Sequence, residues 1–188
     1  AERTPSTHPV AGGAAVDAQA ALQDFDGISY AKGAATLRQL IAHIGDDAFI
    51  AGVTAHLREH SFGNGTLADF MGFMEEASGQ SLTAWSQAWL LTAGVDVISV
   101  DQTTGVVERT VPPEFPADRP HTADVAGFTG GVEVFRIPVS ITQDRTVVDE
   151  LREAPTADLV VPNASDLTWA TVTLDPGSVA AVSTALAA

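Results

Sequence analysis

The chain has 188 residues, of which 45% are hydrophobic, and it carries a formal net charge of −15 at pH 7. This acidic balance argues against binding to nucleic acids or anionic membranes, because an excess of Lys and Arg is needed to bind their phosphates. The sequence has no cysteine, which excludes disulfides, thiolate chemistry and cysteine-based metal sites.

Targeting and membrane signals are not found in the sequence. No run of eighteen apolar residues occurs, and the first residues do not have the pattern of a signal peptide. We therefore expect a cytoplasmic protein that binds neither membranes nor nucleic acids. We interpret the start at Ala1-Glu2-Arg3 as a cut end.

The first predicted elements are helices. A loop rich in Pro and Gly leads to a short helix near residues 14–22, and a longer helix begins at Ile28 and ends at Gly45. Its apolar residues follow the 3.6-residue period and predict one buried face. These residues are Ile28, Ala31, Ala34, Ala35, Leu37, Leu40, Ile41 and Ile44. Tyr30 lies in the first turn, where free N–H groups and the helix dipole favour a developing negative charge.

Two further helices follow directly. Asp46 caps the first, which runs to about His60. Its predicted apolar face consists of Phe49, Ile50, Val53 and Leu57. Thr66 caps the second, with Asp69 in the capping-box position, and Gly79 ends it.

The last helix of this series opens at Ser81 and continues to Gly94. One side of it carries Leu82, Trp85, Trp89 and Leu90. We expect both tryptophans to lie in the core rather than in a substrate cage. Four helices joined by short turns predict a compact, antiparallel-leaning bundle.

After Gly94 the hydrophobic period changes to two, which is typical of strands. The predicted strands cover residues 95–99, 106–111, 132–141, 146–151, 159–161 and 169–174. Hairpin turns are predicted at 129–131 and 143–144, and an extended connection at the proline-rich segment 112–120. Strands without intervening helices predict a β-sandwich. Asp175-Pro176 begins a final helix, so the fold class is α+β.

One short stretch carries the main functional signal. It reads Phe25-Asp26-Gly27-Ile28-Ser29-Tyr30-Ala31-Lys32-Gly33-Ala34 and contains the only tyrosine of the chain. Residue type alone favours a tyrosine ring packed at a helix start. The whole stretch, however, resembles the F-D-x-I-x-Y-x-K-G-A segment of the aminopeptidase N family, the zinc-dependent gluzincin aminopeptidases. By this resemblance Tyr30 is catalytic, and its hydroxyl stabilises the oxyanion of the tetrahedral intermediate. Ala31 stands where many members have Glu.

Three companion segments resemble the same family in the expected order. Residues 6–10, Ser-Thr-His-Pro-Val, look like S-x-H-P-[VI]. Residues 62–70 are similar to [FY]-x-N-A-T-x-x-D-[LF], with Gly65 where Ala is usual. Residues 85–94 resemble the W-x-x-x-W-x-x-x-x-G end of the catalytic domain, and 166–169 resemble the actinobacterial-type branch.

The resemblance implies three domains. Residues 1–95 would be the helical, C-terminal half of a thermolysin-like catalytic domain. Residues 96–174 would be a small β-sandwich domain. Residues 175–188 would be the start of a truncated C-terminal helical domain.

The family's zinc motif, H-E-x-x-H with a later glutamate, and its G-x-M-E-N segment do not occur in the sequence. The resemblance therefore implies an internal fragment of a zinc aminopeptidase that removes N-terminal residues from peptides. We expect zinc in the parent enzyme and none in this fragment, which should be inactive alone. The alternative is a non-enzymatic scaffold or interaction module. Truncated surfaces could also promote self-association.

A second metal-like pattern is His56-Leu57-Arg58-Glu59-His60, which reads H-x-x-E-H and puts both histidines on one helical face. With a third ligand such as Glu133, it would form the open zinc site of a rival metallopeptidase. The family gives these positions no catalytic part. The preferred interpretation is a partly exposed helix end whose dipole favours a cationic His60.

The other histidines have plainer interpretations. His43 is expected on the surface at a helix end. His8 and His121 each adjoin a proline in a predicted loop, and we expect local packing or hydrogen bonds there rather than metal ligation.

Overall fold

The computed structural model describes residues 7–11, 17, 19, 22 and 26–186. The chain divides into two compact units, Ala1–Gly94 and Val95–Ala188. The described part of the first is helical and that of the second is mainly strands, so the protein is α+β. The helix predicted near 14–22 falls largely outside the described residues. Within the described ranges, no helix is long and apolar enough to cross a membrane.

Between residues 26 and 94, the first unit contains a π-helical turn and four α-helices. The π-helical turn covers Ile28–Lys32. The helices are α1 (Gly33–Ile44), α2 (Asp46–Glu59), α3 (Leu67–Ser78) and α4 (Thr83–Trp89). The four predicted helices are therefore present in the predicted order. Only α4 is much shorter than predicted, because it ends at Trp89 instead of Gly94.

The predicted capping box at α3 is present. The Thr66 hydroxyl accepts a hydrogen bond from the Asp69 N–H at 3.2 Å, and the Asp69 carboxylate accepts one from the Thr66 N–H at 2.8 Å. Hydrogen bonds from the Thr66 N–H and hydroxyl hold the pKa of Asp69 below its ordinary value. Gly79 ends the helix in the left-handed conformation at φ 67°, which glycine adopts without a steric cost.

The buried face of the π-helical turn and α1 differs from the prediction. The buried residues are Ile28, Lys32, Thr36, Gln39, Leu40 and Ile44. In contrast, Ala31, Ala34 and Leu37 are exposed. Three of the buried residues, Ile28, Leu40 and Ile44, agree with the prediction. The other three are polar, so a pattern of apolar residues does not identify them.

The packed side of α2 also differs from the prediction. Ile50 and Leu57 are exposed, whereas Gly52 is buried. A Cβ atom on Gly52 would lie 2.9 Å from the Met74 side chain of α3. The absence of a side chain at residue 52 therefore allows the close approach of these two helices.

The core of the first unit contains Leu40, Met74, Leu82, Trp85 and Trp89, all at most 5% exposed. The rings of the two tryptophans lie 6.3 Å apart. Their predicted place in the core is confirmed.

The second unit contains two β-sheets and two helices. Its strands are β1 (Asp96–Asp101), β2 (Val106–Thr110), β3 (His121–Thr129), β4 (Val132–Ile141), β5 (Arg145–Val147), β6 (Leu159–Pro162) and β7 (Ala170–Thr173). Its helices are α5 (Asp149–Glu153) and α6 (Pro176–Leu186). The strand order is β5-β2-β1-β7 in one sheet and β4-β3-β6 in the other. Only the β1–β7 pair is parallel among the described strands.

One hydrophobic cluster joins residues from both sheets with α5. It contains Ile98, Val100, Val107, Val125, Val139, Ile141, Val148, Leu151 and Val160. The hydrophobic core of the second unit is thus built from strands that are distant from one another in the sequence.

Strand β3 was not predicted, although it lies in the centre of its sheet between β4 and β6. It is buried almost continuously and therefore has no period of two. It also contains Asp124 and Gly127, which are uncommon in strands. A Cβ on Gly127 would lie 2.1 Å from the Phe135 ring of β4, so this glycine provides space for the neighbouring ring.

Two other strand predictions are corrected. The strand predicted at 146–151 ends at Val147, and α5 begins at Asp149. The turn predicted at 143–144 does not close a hairpin, because β4 and β5 belong to different sheets. The turn at 129–131 does join the antiparallel pair β3 and β4, and Gly130 and Gly131 have positive φ there.

The final helix begins as predicted. The Asp175 carboxylate accepts hydrogen bonds from the Gly177 and Ser178 N–H groups at 2.8 and 3.1 Å. The Ser178 hydroxyl accepts one from the Val160 N–H of β6 at 2.9 Å. These contacts hold α6 within the second unit.

Candidate functional site

The π-helical turn holds Tyr30 between two buried residues. Ile28 and Lys32 are fully buried, whereas Tyr30 is 62% exposed. The Lys32 ammonium donates a hydrogen bond to the Gly94 carbonyl oxygen at 2.9 Å. The turn is thus fixed to the unit on both sides of a tyrosine that a ligand can reach.

Asp26 caps this turn through its side chain and its main chain. One carboxylate oxygen accepts hydrogen bonds from the Ile28 N–H at 2.7 Å and the Ser29 N–H at 3.2 Å. The Asp26 carbonyl oxygen accepts one from the Tyr30 N–H at 3.2 Å. Burial raises the pKa of Asp26, but these N–H groups and the nearby His8 outweigh it, so the pKa lies below its ordinary value.

His8 connects a second motif segment to the same carboxylate. Its Nε2 lies 3.3 Å from the Asp26 carboxylate oxygen, which is an ion-pair distance without the alignment of a hydrogen bond. Its Nδ1 lies 2.8 Å from the Pro9 carbonyl oxygen. Both neighbouring oxygens are hydrogen-bond acceptors. The predicted local role of His8 is therefore confirmed.

These contacts correct one expectation about the site. The sequence predicted free N–H groups next to Tyr30, but the Ile28 and Ser29 N–H groups donate to Asp26. The Asp26 carboxylate therefore occupies these N–H groups, and its negative charge offsets the positive end of the helix dipole.

The residues described by the structure do not fit a zinc ion. Among them, no group of three or more His, Asp or Glu is placed to hold a metal. The expectation that the isolated chain binds no zinc stays a prediction.

His56 and His60 pack against aromatic rings instead of forming such a group. Their rings lie 4.7 Å apart, and the Phe73 ring lies 5.7 Å from His56 and 6.1 Å from His60. Glu133, the suggested third ligand, forms hydrogen bonds with Arg136 of the same strand at 2.6 and 3.1 Å. The structure thus supports a packing role for the two histidines.

His43 is exposed at the end of α1, as predicted, and its ring stacks against Trp85 at 6.4 Å. His121 was expected in a loop, but it is the first residue of β3 and only 1% exposed. The proline-rich connection therefore ends at Pro120, as predicted, but the residue after it begins a strand and enters the core.

A buried polar network surrounds His121. The Nε2 atom of His121 donates a hydrogen bond to the Asp96 carboxylate at 2.9 Å, because a carboxylate can only accept. The Nδ1 atom then accepts one from the Thr168 hydroxyl at 2.7 Å. The Arg119 guanidinium donates to the other Asp96 oxygen at 2.8 Å. All four residues are at most 2% exposed, so this Thr-His-Asp arrangement cannot meet a substrate and holds β1, β3 and the 163–168 loop together.

The network makes the stability of the second unit dependent on pH. Burial lowers the pKa of His121 below its ordinary 6.5, and Arg109 and Arg119 add to this effect against the opposing influence of Asp96. The neutral form is favoured in the folded state, so stability is complete above pH 6.5 and decreases as the pH falls below it. We expect a loss of about 1 kcal/mol between pH 7.5 and pH 5.5.

Urea titrations followed by amide resonances of β1 and β3 test this expectation. His121 is the only histidine of residues 95–188, so these resonances report on one titrating imidazole. The same titration of His121→Gln should show no loss over this range. An equal loss in the variant would contradict the assignment.

The sequence indicated Tyr30 as the candidate but gave no role to the residues that hold its turn. Asp26 and Lys32 belong to the motif, but the motif assigned no role to either residue. The signal for Asp26 was its position two residues before Ile28, where an aspartate often caps the N–H groups that follow. No pattern indicated that Lys32, a charged residue, would be fully buried.

Comparisons with known proteins establish the family to which the chain belongs. Residues 1–89 match the peptidase family M1 domain. The chain belongs to the aminopeptidase N family, that is, peptidase family M1, whose members are in general zinc-dependent metalloaminopeptidases.

Individual relatives agree with this assignment. The chain is 37% identical over 200 residues to aminopeptidase N of Streptomyces lividans, covering 96% of this chain and 23% of the relative. It is 34% identical to glutamyl aminopeptidase of Bos taurus over 64% of this chain and 12% of the relative. The chain thus spans less than a quarter of the length of these relatives.

A solved structure shows a similar fold. Legionella pneumophila aminopeptidase A, crystallised in complex with aspartic acid, matches 81% of this chain and 18% of its own chain with a TM-score of 0.59. The two sequences are 16% identical over the match, so this likeness concerns the fold alone.

Proposed function

We propose that this chain is part of a longer zinc aminopeptidase, here called the parent enzyme, that removes N-terminal residues from peptides. Family membership and the short coverage of its relatives support this proposal. Residues 1–95 would contribute the helical half of a thermolysin-like catalytic domain. Residues 96–174 would be a β-sandwich domain, and 175–188 the start of a further helical domain. The ligands of the zinc would come from outside the described residues.

The observation that carries the proposal is the geometry of the tyrosine turn. Tyr30 is 62% exposed, although Ile28 and Lys32 on either side are fully buried. A hydroxyl group can donate one hydrogen bond to an oxygen that becomes negative when a peptide carbonyl is attacked. A donor that is held in place before the reaction stabilises this charge without reorganisation. Tyr30 is the residue of this chain to which we assign that role.

The proposal is tested by comparing the parent enzyme with the 188-residue chain on an aminoacyl p-nitroanilide. We expect the parent enzyme to hydrolyse the substrate with a free amine and not its N-acetylated form. A zinc chelator should remove this activity, and the isolated chain should show none. A parent enzyme that hydrolyses both substrates equally, or neither, would contradict the proposed function.

A further inference from the structure

We propose that Asp26 is a positioning residue for Tyr30, with His8 as its partner. This inference depends on the proposed function, because it concerns how the phenol is presented to the reacting oxygen. Neither residue was assigned a role by the motif alone. The proposal follows from contacts that converge on one carboxylate and one carbonyl.

Asp26 accepts three hydrogen bonds from the turn that contains Tyr30. Its carboxylate accepts from the Ile28 and Ser29 N–H groups, and its carbonyl accepts from the Tyr30 N–H. Three consecutive N–H groups thus bind one residue. A helix start without such a cap loses hydrogen bonds and frays.

The helical form of the turn is unusual. Residues 28–32 are π-helical, a rare form that often occurs at functional sites. The Gly27 N-cap position has no side-chain cap, so the Asp26 side chain performs that function from one residue earlier. Without Asp26, the first turn would be able to relax, and Tyr30 would change its orientation with it.

His8 contacts the carboxylate of Asp26. The side chain of Asp26 is about one-third exposed, and that of His8 is one-fifth exposed at 21%. The imidazole lies between the Pro9 carbonyl and the Asp26 carboxylate, so it fixes the loop of residues 7–11 against the turn. The Ala11 N–H donates to the Leu90 carbonyl at 2.8 Å, which ties the same loop to the end of α4. The Asp26 oxygen that accepts from the turn is therefore also the oxygen that the imidazole of His8 contacts.

The first test uses the isolated chain and its single tyrosine. Labelling with 3-fluorotyrosine gives one ¹⁹F resonance, which reports on Tyr30 alone. We expect Asp26→Ala to shift this resonance toward its value in urea. Asp26→Asn keeps an oxygen that accepts from the same N–H groups and should leave the resonance nearly unchanged. Glu76→Ala, which changes an exposed acid in the last turn of α3, serves as the control.

The second test is a double-mutant cycle in the parent enzyme. Asp26→Ala should lower kcat by about tenfold with little change in KM, because misplacing a catalytic group costs rate rather than substrate binding. In a Tyr30→Phe background the same change should lower kcat by less than about twofold, because the group that Asp26 positions is already absent. Asp26→Asn should restore most of the rate.

The outcomes separate this inference from the proposed function. If Tyr30→Phe leaves kcat unchanged in an active aminopeptidase, the proposed role of Tyr30 fails, and the positioning role fails with it. If Tyr30→Phe lowers kcat but Asp26→Ala costs the same factor in both backgrounds, Asp26 is only structural and the inference alone is wrong. An Asp26→Ala chain with an unshifted ¹⁹F resonance would also overturn it, whether or not the parent enzyme is active.

Discussion

Replacing Tyr30 by Phe in the parent enzyme should lower kcat by about 10²–10³-fold, which is the usual cost of removing one oxyanion donor. KM should change little, because the hydrogen bond to the oxyanion forms mainly in the transition state. The ring remains in place, so the turn and its contacts to Asp26 should be preserved. Steady-state kinetics on the aminoacyl p-nitroanilide measure both constants.

The control for this prediction is Phe62→Leu. Phe62 is an aromatic residue of the same unit, and its side chain is fully exposed. Its replacement should leave kcat within about twofold, since substitutions of exposed side chains seldom have large effects. A Tyr30→Phe enzyme as active as this control would remove Tyr30 from the mechanism.

Replacing Asp96 by Ala should destabilise the second unit by about 3–5 kcal/mol, because it takes one partner from a buried ion pair. Asp96 and Arg119 are 0% and 1% exposed, and the carboxylate also accepts from His121. The variant leaves the buried guanidinium without the carboxylate that lies 2.8 Å away. A loss of this size is a large part of the stability of an ordinary domain.

Urea unfolding of the full 188-residue chain measures this loss through the amide resonances of β1 and β3. Glu108→Ala is the matched control, because Glu108 is an exposed acid on the neighbouring strand β2. The control should change the free energy of unfolding by less than about 0.5 kcal/mol. A change below about 1 kcal/mol in Asp96→Ala would show that the network does not hold the sheets together.

The elements that the sequence predicted well are those with a strong local signal. The bounds of α3 follow from Thr66, Asp69 and Gly79, whose chemistry acts within a few residues. The turn between β3 and β4 follows from Gly130 and Gly131 in the same way. Such features need no knowledge of the tertiary structure.

The features that the sequence did not predict depend on distant residues. Strand β3 is buried by two neighbours that come later in the chain, so its own composition gives little indication of it. The Asp96 network joins residues 96, 119, 121 and 168, and no local pattern connects them. The buried face of α1 was predicted only in part, because the buried residues Thr36 and Gln39 are polar and do not belong to an apolar pattern.

The candidate site shows the same division. Tyr30 was identified from a motif that lies within ten residues of sequence. The support of that tyrosine by Lys32, through the carbonyl of Gly94, spans 62 residues and appeared only in the structure. The contact of His8 with Asp26 joins two motif segments that the sequence treated as separate.

The inhibition constant of a peptide phosphinate tests whether the Tyr30 hydroxyl binds the oxyanion of the tetrahedral intermediate. A phosphinate carries a tetrahedral, negatively charged centre in place of the scissile peptide bond. Tyr30→Phe should weaken its binding to the parent enzyme by about the factor by which kcat/KM falls, while the affinity for a product amino acid stays unchanged. Equal phosphinate affinity in the wild-type and variant enzymes would contradict the claim.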